Sequence, residues 1–182
     1  MGSVVPTTTS VPPLSVNCDH YTARSMPKSP QRRTILMADD DVEDCLLVRD
    51  ALLETGRPCD LRFVRDGEEL FDYLRHEGEY VDGRDSPWPD LILIDLKMPR
   101  KDGRETIRDL KTDPRYRRIP VIALTTSSAC DDVEFSYNVG VNCYITKPTT
   151  FRELVDVLDT LGKYWFDVVE LPPKASYGGK TN

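Results

Sequence analysis

The stretch DLILIDLKMPRKDG, residues 90–103, decides the fold and contains the residue around which we expect the functional site. Four apolar residues, 91–94, run directly into the carboxylate of Asp95. A short apolar run of this kind predicts a strand buried on both faces, as in the middle of a parallel sheet. Pro99 and Gly103 then require a loop. Asp95 is therefore expected at the carboxyl end of a central strand, which in open α/β sheets is the edge where ligands bind.

The rest of the chain repeats one unit, a short apolar strand followed by a helix. The predicted strands are residues 34–38, 61–64, 91–94, 120–124 and 142–145. Alternation of this kind predicts a parallel sheet with helices on both faces and right-handed crossovers. We expect one α/β domain at residues 32–167. The residues before it, 1–31, are rich in Ser, Thr and Pro and are expected to be a disordered tail. A C-terminal tail, 168–182, begins with an apolar segment, 168–171.

Helical spacing and capping patterns give expectations for individual helices. The buried face of the first helix is predicted from apolar residues at helical spacing, which are Val42, Leu46, Leu47, Ala51 and Leu53. Ser128 and Asp131 are predicted to form a capping box at the start of the fourth helix.

Charged and hydroxyl side chains stand at the ends of four of the five strands. The first strand ends in Asp39 and Asp40, the third in Asp95, the fourth in Thr125 and the fifth in Lys147. Parallel strands end along one edge of the sheet, so these groups are expected to converge. Three neighbouring carboxylates repel one another unless a cation lies between them. A hard divalent ion such as Mg²⁺ suits such oxygen ligands.

Asp95, at the centre of this group, can act as a nucleophile that forms an aspartyl phosphate. Mg²⁺, the Lys147 ammonium and the Thr125 hydroxyl would then neutralise the phosphoryl oxygens. Each residue alone also fits an ordinary role, such as a helix cap, a turn residue or a solvated cation. Their joint occurrence at the ends of the right strands favours the phosphoryl site.

The composition excludes several other classes of function. A net charge of −7 argues against binding to nucleic acid or to an anionic membrane surface. No apolar run has the length of a membrane span, and the N-terminal residues lack the apolar run of a secretory signal. The five cysteines form neither a CxxC pair nor a zinc-binding spacing with His, so we expect a reducing, cytoplasmic compartment.

Four motifs resemble the receiver domain of two-component response regulators. They are ILMADDD (35–41), LILIDLKMPRKDG (91–103), VIALTTSS (121–128) and CYITKP (143–148). The similarity extends to the stand-alone receivers that pair with bacterial phytochromes, through HEGEYVDG (76–83) and the GVNCYITKP phrase. The resemblance implies a flavodoxin-like sheet of five parallel strands in the order 2-1-3-4-5.

The resemblance also implies a role for each site residue. Asp95 resembles the phosphoacceptor, and Asp39, Asp40 and Asp95 resemble the Mg²⁺ ligands, together with the backbone carbonyl of Lys97. Thr125 and Tyr144 resemble the switch residues of the family. Lys147 resembles its catalytic lysine, which commonly precedes a cis proline, here Pro148. Lys97 departs from the Asn that is common two residues after the phosphoacceptor.

The expected function is that of a single-domain response regulator, not an enzyme. It would accept a phosphoryl group on Asp95 from a sensor histidine kinase, of the phytochrome type by the resemblance, and catalyse only this transfer and slow autodephosphorylation. Two alternatives are weighed against it. A degenerate receiver would act only as a protein-binding module, although all five site residues are present. An Asp-based phosphatase would need a second Asp two residues after Asp95, where Lys97 stands.

A homodimer through the last helix and the tail is also expected. The core-facing stripe of that helix is predicted as Phe151, Leu154, Val155, Leu158, Leu161 and Trp165. A second apolar seam beside it consists of Val157, Leu161, Tyr164 and Val168. Phe166, Val169 and Leu171 are predicted to add further apolar surface, and surface of this kind usually marks an interface.

Overall fold

Five short apolar segments form the parallel sheet, and the helices between them cover both of its faces. A computed structural model describes residues 32–83 and 86–173, and the predicted N-terminal tail lies outside them. All described residues belong to one compact unit that begins at Arg32. The strands are β1 (Arg33–Ala38), β2 (Cys59–Val64), β3 (Leu91–Ile94), β4 (Val121–Thr125) and β5 (Cys143–Thr146). The helices are α1 (Val42–Glu54), α2 (Gly67–Arg75), α3 (Gly103–Thr112), α4 (Cys130–Asn138) and α5 (Phe151–Gly162).

The sheet has the order β2-β1-β3-β4-β5, which confirms the predicted topology. All four strand pairs are parallel. Ile94 pairs with Ala38 on one side and with Ala123 on the other, so the three central strands end almost level. The residues that follow them are thereby brought to one edge of the sheet.

The central strand is buried on both faces, as its uninterrupted apolar sequence predicts. Ile92 and Ile94 contribute to a core cluster with α2 and α3. Leu91 and Leu93 contribute to the opposite cluster, with α1 and α5. All four side chains are at most 2% exposed. A strand held in this way gives Asp95 a rigid base.

The predicted buried face of α1 is wrong except at Ala51. Cys45, Val48, Ala51 and Leu52 are the buried residues of the helix. Val42 and Leu53 are 66% and 72% exposed, and Leu46 and Leu47 are also exposed. The helix has apolar residues around most of its circumference, so spacing alone allowed two faces, and packing against the sheet selected the other one.

The predicted capping box of α4 is also wrong. Ala129 occupies the N-cap position and makes no side-chain cap bond. Three other helices do have a side-chain cap: Asp66 accepts from two amides at the start of α2, and Asp102 and Thr150 each cap their helix.

The chain beyond α5 folds back on its own domain. A single π-helical segment, Lys163–Val168, follows the helix, and Trp165 within it is buried. Phe166, Val169 and Leu171 pack against the core cluster of α1 and α5, so the expectation that they form extra surface is wrong. Phe151, predicted to face the core, is 45% exposed.

Within the described residues, no helix combines the length and the apolar character that crossing a membrane requires.

Candidate functional site

The loop after β1 separates three consecutive carboxylates by role. Asp39 is buried at the strand end, and its Oδ1 accepts from the backbone N–H of Asp41. Asp40 is exposed. Asp41 caps α1 by accepting from the amides of Glu43 and Asp44. Asp39 and Asp40 are thus available at the edge of the sheet, while Asp41 accepts hydrogen bonds from the free amides at the start of α1.

Asp95 stands one residue past β3, with its backbone N–H bonded to the carbonyl of Ala38. Its side chain is nearly buried, and its Oδ1 accepts from the amide of Leu96 at 2.7 Å. Asp39, Asp40 and Asp95 each offer a carboxylate oxygen, and these atoms lie within 4.8 Å of one another. The predicted convergence of the three carboxylates is therefore present.

Lys147 reaches into this cluster from the end of β5. Its Nζ lies 2.7 Å from Asp39 Oδ2, 2.5 Å from Asp44 Oδ2 and 3.8 Å from Asp95 Oδ2. Burial by itself would lower the pKa of Lys147, but the hydrogen bonds with Asp39 and Asp44 outweigh it and leave that pKa above its usual value. Lys147 is therefore a permanent cation beside Asp95.

Burial raises the pKa of Asp39, and Lys147 only partly offsets this. Burial also raises the pKa of the neighbouring Cys45 thiol to about 12, with the charge of Asp39 as a further cause. Cys45 is thus a neutral thiol at neutral pH and takes no part as a nucleophile.

The three carboxylates and the single lysine fit a divalent cation of the hard, oxygen-seeking kind. Two of the carboxylates are buried and Asp40 is exposed, so an ion held there would keep some water, as Mg²⁺ prefers. The donor set lacks the thiolate or imidazole groups that softer metals favour. The single charge of the Lys147 ammonium balances only part of the negative charge of Asp39, Asp40, Asp44 and Asp95.

Thr125, at the end of β4, and Tyr144, in β5, both bond to Ser127 in the loop after β4. Thr125 is fully buried, and its Oγ1 accepts from the backbone N–H of Ser127 at 3.4 Å. The Tyr144 hydroxyl donates to the backbone oxygen of Ser127 at 2.9 Å. Burial raises the pKa of Tyr144, so it stays a neutral donor. Ser127 thus connects the two residues that the resemblance identifies as switches.

Two further expectations concern the loops. Lys97 has an exposed side chain in the loop after β3, and the role of its carbonyl as a metal ligand stays a prediction. The peptide bond between Lys147 and Pro148 is trans, so the expectation of a cis proline there is wrong.

The response regulator receiver domain family matches residues 35–159. The chain belongs to this family. It is 39% identical over 140 residues to response regulator Rcp1 from Synechocystis, and the match covers 77% of this chain and 93% of Rcp1. The crystal structure of the phosphorylated cyanobacterial phytochrome response regulator RcpA is similar, with 40% identity and a TM-score of 0.72, covering 79% of this chain and 100% of that one. The Mn²⁺-bound form of Rcp1 has 39% identity and a TM-score of 0.70, covering 78% of this chain and 99% of that one.

This receiver has one site residue that sequence reasoning missed. Asp44 shares the Lys147 ammonium with Asp39, although it lies in the first turn of α1. The buried face of α1 differs from the face that the apolar spacing predicts. The spacing therefore gave no indication that Asp44 lies on the side of Lys147. Its acidic character, four residues after Asp40, was the one available signal.

Proposed function

We propose that Asp95 accepts a phosphoryl group from the phosphohistidine of a sensor histidine kinase of the phytochrome type. The observation that carries this proposal is the Asp95 carboxylate at the sheet edge, 3.8 Å from the Lys147 ammonium and grouped with Asp39 and Asp40. The similarity to phytochrome response regulators supports the choice of kinase.

The transfer is an in-line displacement at phosphorus. An Asp95 oxygen forms the new O–P bond while the N–P bond to the kinase histidine breaks, and the imidazole keeps the electron pair and takes up a proton. Lys147 neutralises charge on the phosphoryl oxygens, and the Thr125 hydroxyl donates to one of them. Mg²⁺, held by Asp39, Asp40 and Asp95 with the Lys97 carbonyl, would supply further positive charge to these oxygens. Slow autodephosphorylation would reverse the modification by attack of water.

The test is labelling of the purified protein with acetyl phosphate in the presence of Mg²⁺. The label is expected in the peptide that contains Asp95, and hydroxylamine should remove it because it is an acyl phosphate. A degenerate receiver that acts only as a binding module would stay unlabelled. A label in another peptide would move the acceptor away from Asp95.

The exposed apolar residues at the start of α1 support a protein donor. Val42 and Leu46 are 66% and 42% exposed and follow the acidic loop that carries Asp40. Exposed apolar residues next to a reactive site favour docking of a partner over reaction with a small molecule. We propose that the kinase docks on this surface. The cytoplasmic location stays a prediction from the cysteine pattern, and Cys45, Cys59, Cys130 and Cys143 are free thiols.

Asp40→Asn is expected to weaken Mg²⁺ binding by about tenfold or more, because it replaces a charged oxygen ligand by a neutral one. Asp41→Asn is the matched control, since it removes the same charge one residue away and asparagine still caps α1. Calorimetric titration with MgCl₂ measures both. Equal affinities in the two variants would contradict the assignment of Asp40 as a ligand.

Thr125→Ala is expected to accept the phosphoryl group but to respond less to it. The hydroxyl would gain a charge-assisted hydrogen bond only in the phosphorylated protein, and this bond biases the loop after β4. Amide hydrogen exchange of residues 126–145, before and after acetyl phosphate, measures the response. A variant whose response equals that of the unmodified sequence would exclude Thr125 as a switch residue.

We propose a homodimer through the exposed part of the second apolar seam. Tyr164 and Val168 are 54% and 73% exposed after the tail has folded back, whereas Val157 and Leu161 are partly covered. A two-fold pairing would cover both copies of this seam at once. Val168→Asp is expected to convert a dimer to a monomer in sedimentation at micromolar concentration. Val81→Asp, at an equally exposed valine elsewhere, is the control and should leave the dimer intact.

A further inference from the structure

Ser127 is bonded through all three of its polar groups. Its N–H donates to Thr125 Oγ1, and its carbonyl oxygen accepts from the Tyr144 hydroxyl. Its own hydroxyl donates to Oδ2 of Asp132, in the first turn of α4. Ser127 is buried, so these protein partners stand in for water. The conformation of this one residue therefore determines whether Tyr144 has an acceptor on the loop.

Asp132 is a buried carboxylate outside the phosphoryl site. Its side chain is 5% exposed, and it forms an ion pair with Arg104 at the start of α3. The Arg104 guanidinium also lies over the ring of Phe135, 5.6 Å from its centroid. A buried carboxylate is costly unless its charge is paired. The Arg104 guanidinium supplies the opposite charge beside Oδ1, and the Ser127 hydroxyl donates to Oδ2. Loss of Arg104 would leave the charge uncompensated, and loss of the Ser127 hydroxyl would leave Oδ2 without its donor.

The chain of contacts therefore runs from α3 through α4 to the switch loop. Arg104 holds Asp132, Asp132 holds the Ser127 hydroxyl, and the Ser127 carbonyl holds Tyr144. Nothing in the phosphoryl site requires an Asp on α4 or an Arg on α3. A role in fixing the loop after β4 explains why Asp132 and Arg104 lie where they do.

We propose that Asp132, held by Arg104, is a positioning residue for the switch: it fixes Ser127 so that Tyr144 stays docked on the loop after β4. By fixing this loop, Asp132 also determines how much the loop changes when the protein is phosphorylated. This effect on phosphorylation rests on the proposed function of Asp95. Tyr144 and Ser127 are coupled reciprocally, because each stabilises the position of the other.

The experiment follows Tyr144 directly, in protein labelled with 3-fluorotyrosine and not yet treated with a phosphodonor. Its fluorine resonance is identified by its loss in Tyr144→Phe. Ser127→Ala and Asp132→Asn are expected to shift this resonance toward that of a solvent-exposed tyrosine. Both are expected to speed amide exchange in residues 126–131 by about tenfold or more, the factor for a lost buried bond to a charged group. Ser127→Thr retains the hydroxyl and should restore the resonance of the unmodified sequence.

Ser136→Ala is the matched control for a loss of stability. Ser136 is also a buried serine bonded to Asp132, but its hydroxyl donates to the backbone oxygen of that residue and does not reach the loop. It should lower the melting temperature without moving the Tyr144 resonance. If Ser127→Ala does not fold, Asp132→Asn decides the question.

The positioning role of Asp132 is overturned if the Tyr144 resonance stays in place in both Ser127→Ala and Asp132→Asn. It is also overturned if the resonance moves by the same amount in Ser136→Ala. Acetyl phosphate is added afterwards to separate the two proposals. A shifted resonance in the untreated variants, with no response of the unmodified protein to acetyl phosphate, contradicts the function of Asp95 alone. If acetyl phosphate shifts the Tyr144 resonance equally in Ser127→Ala and in the unmodified protein, the loop after β4 is not coupled to phosphorylation through Ser127, and that part of the proposal is overturned.

Discussion

Asp95→Asn is expected to reduce labelling by acetyl phosphate by more than about 1,000-fold, to the background of the assay, because it removes the nucleophile while it keeps the shape of the side chain. The variant should fold at least as well as the unmodified protein. One negative charge leaves a group in which Asp39, Asp40 and Asp95 lie within 4.8 Å of one another, and the repulsion between them falls.

Asp90→Asn is the matched control for this experiment. Asp90 precedes the same strand at its other end, where it accepts from the backbone N–H of Thr34 and pairs with Arg33. It is as buried as Asp95 but lies at the opposite edge of the sheet. Its substitution is expected to cost stability only, so labelling should persist. Full labelling of Asp95→Asn would show that the acceptor is another residue.

Gly103→Ala is expected to destabilise the protein by about 3 kcal/mol and to slow phosphorylation as well. A Cβ at this position would overlap the carbonyl oxygen of Asp95 and lie 2.6 Å from Leu96 Cα. These neighbours are backbone atoms at the end of a buried strand, so they cannot move aside without moving Asp95. Overpacking of this kind typically costs about 1–3 kcal/mol and occasionally more. The melting temperature should fall by roughly 6–12 °C in a domain of this size.

Gly162→Ala gives the comparison for Gly103→Ala. It introduces the same methyl group near the end of α5, where the nearest atom, at 2.7 Å, is Cδ of the Arg57 side chain. A side chain can shift where a strand end cannot, and alanine favours helix over glycine. Gly162→Ala should therefore cost less and leave the labelling rate unchanged. If the two variants lose the same stability and label at the same rate, the close approach of Gly103 to the backbone of Asp95 does not matter for the site.

The sequence by itself determined the sheet and the group of residues at its edge. Four uninterrupted apolar residues before Asp95 indicate a strand buried on both faces, and a parallel sheet ends all its strands along one edge. Local information therefore sufficed to bring Asp39, Asp40, Asp95 and Lys147 together. Their convergence follows from where each strand ends, whatever the detailed packing of the helices.

Only the tertiary structure decided how the helices and the tail turn their side chains. α1 carries apolar residues on more than one face, so its spacing could not choose between Val42 and Cys45 as the buried residue, and the sheet made that choice. Asp44 pairs with Lys147, more than 100 residues away, and Asp132 pairs with Arg104, more than 25 residues away. Leu171 packs against the core of its own domain. Such pairings depend on the distances between elements, which no local pattern of residue types encodes.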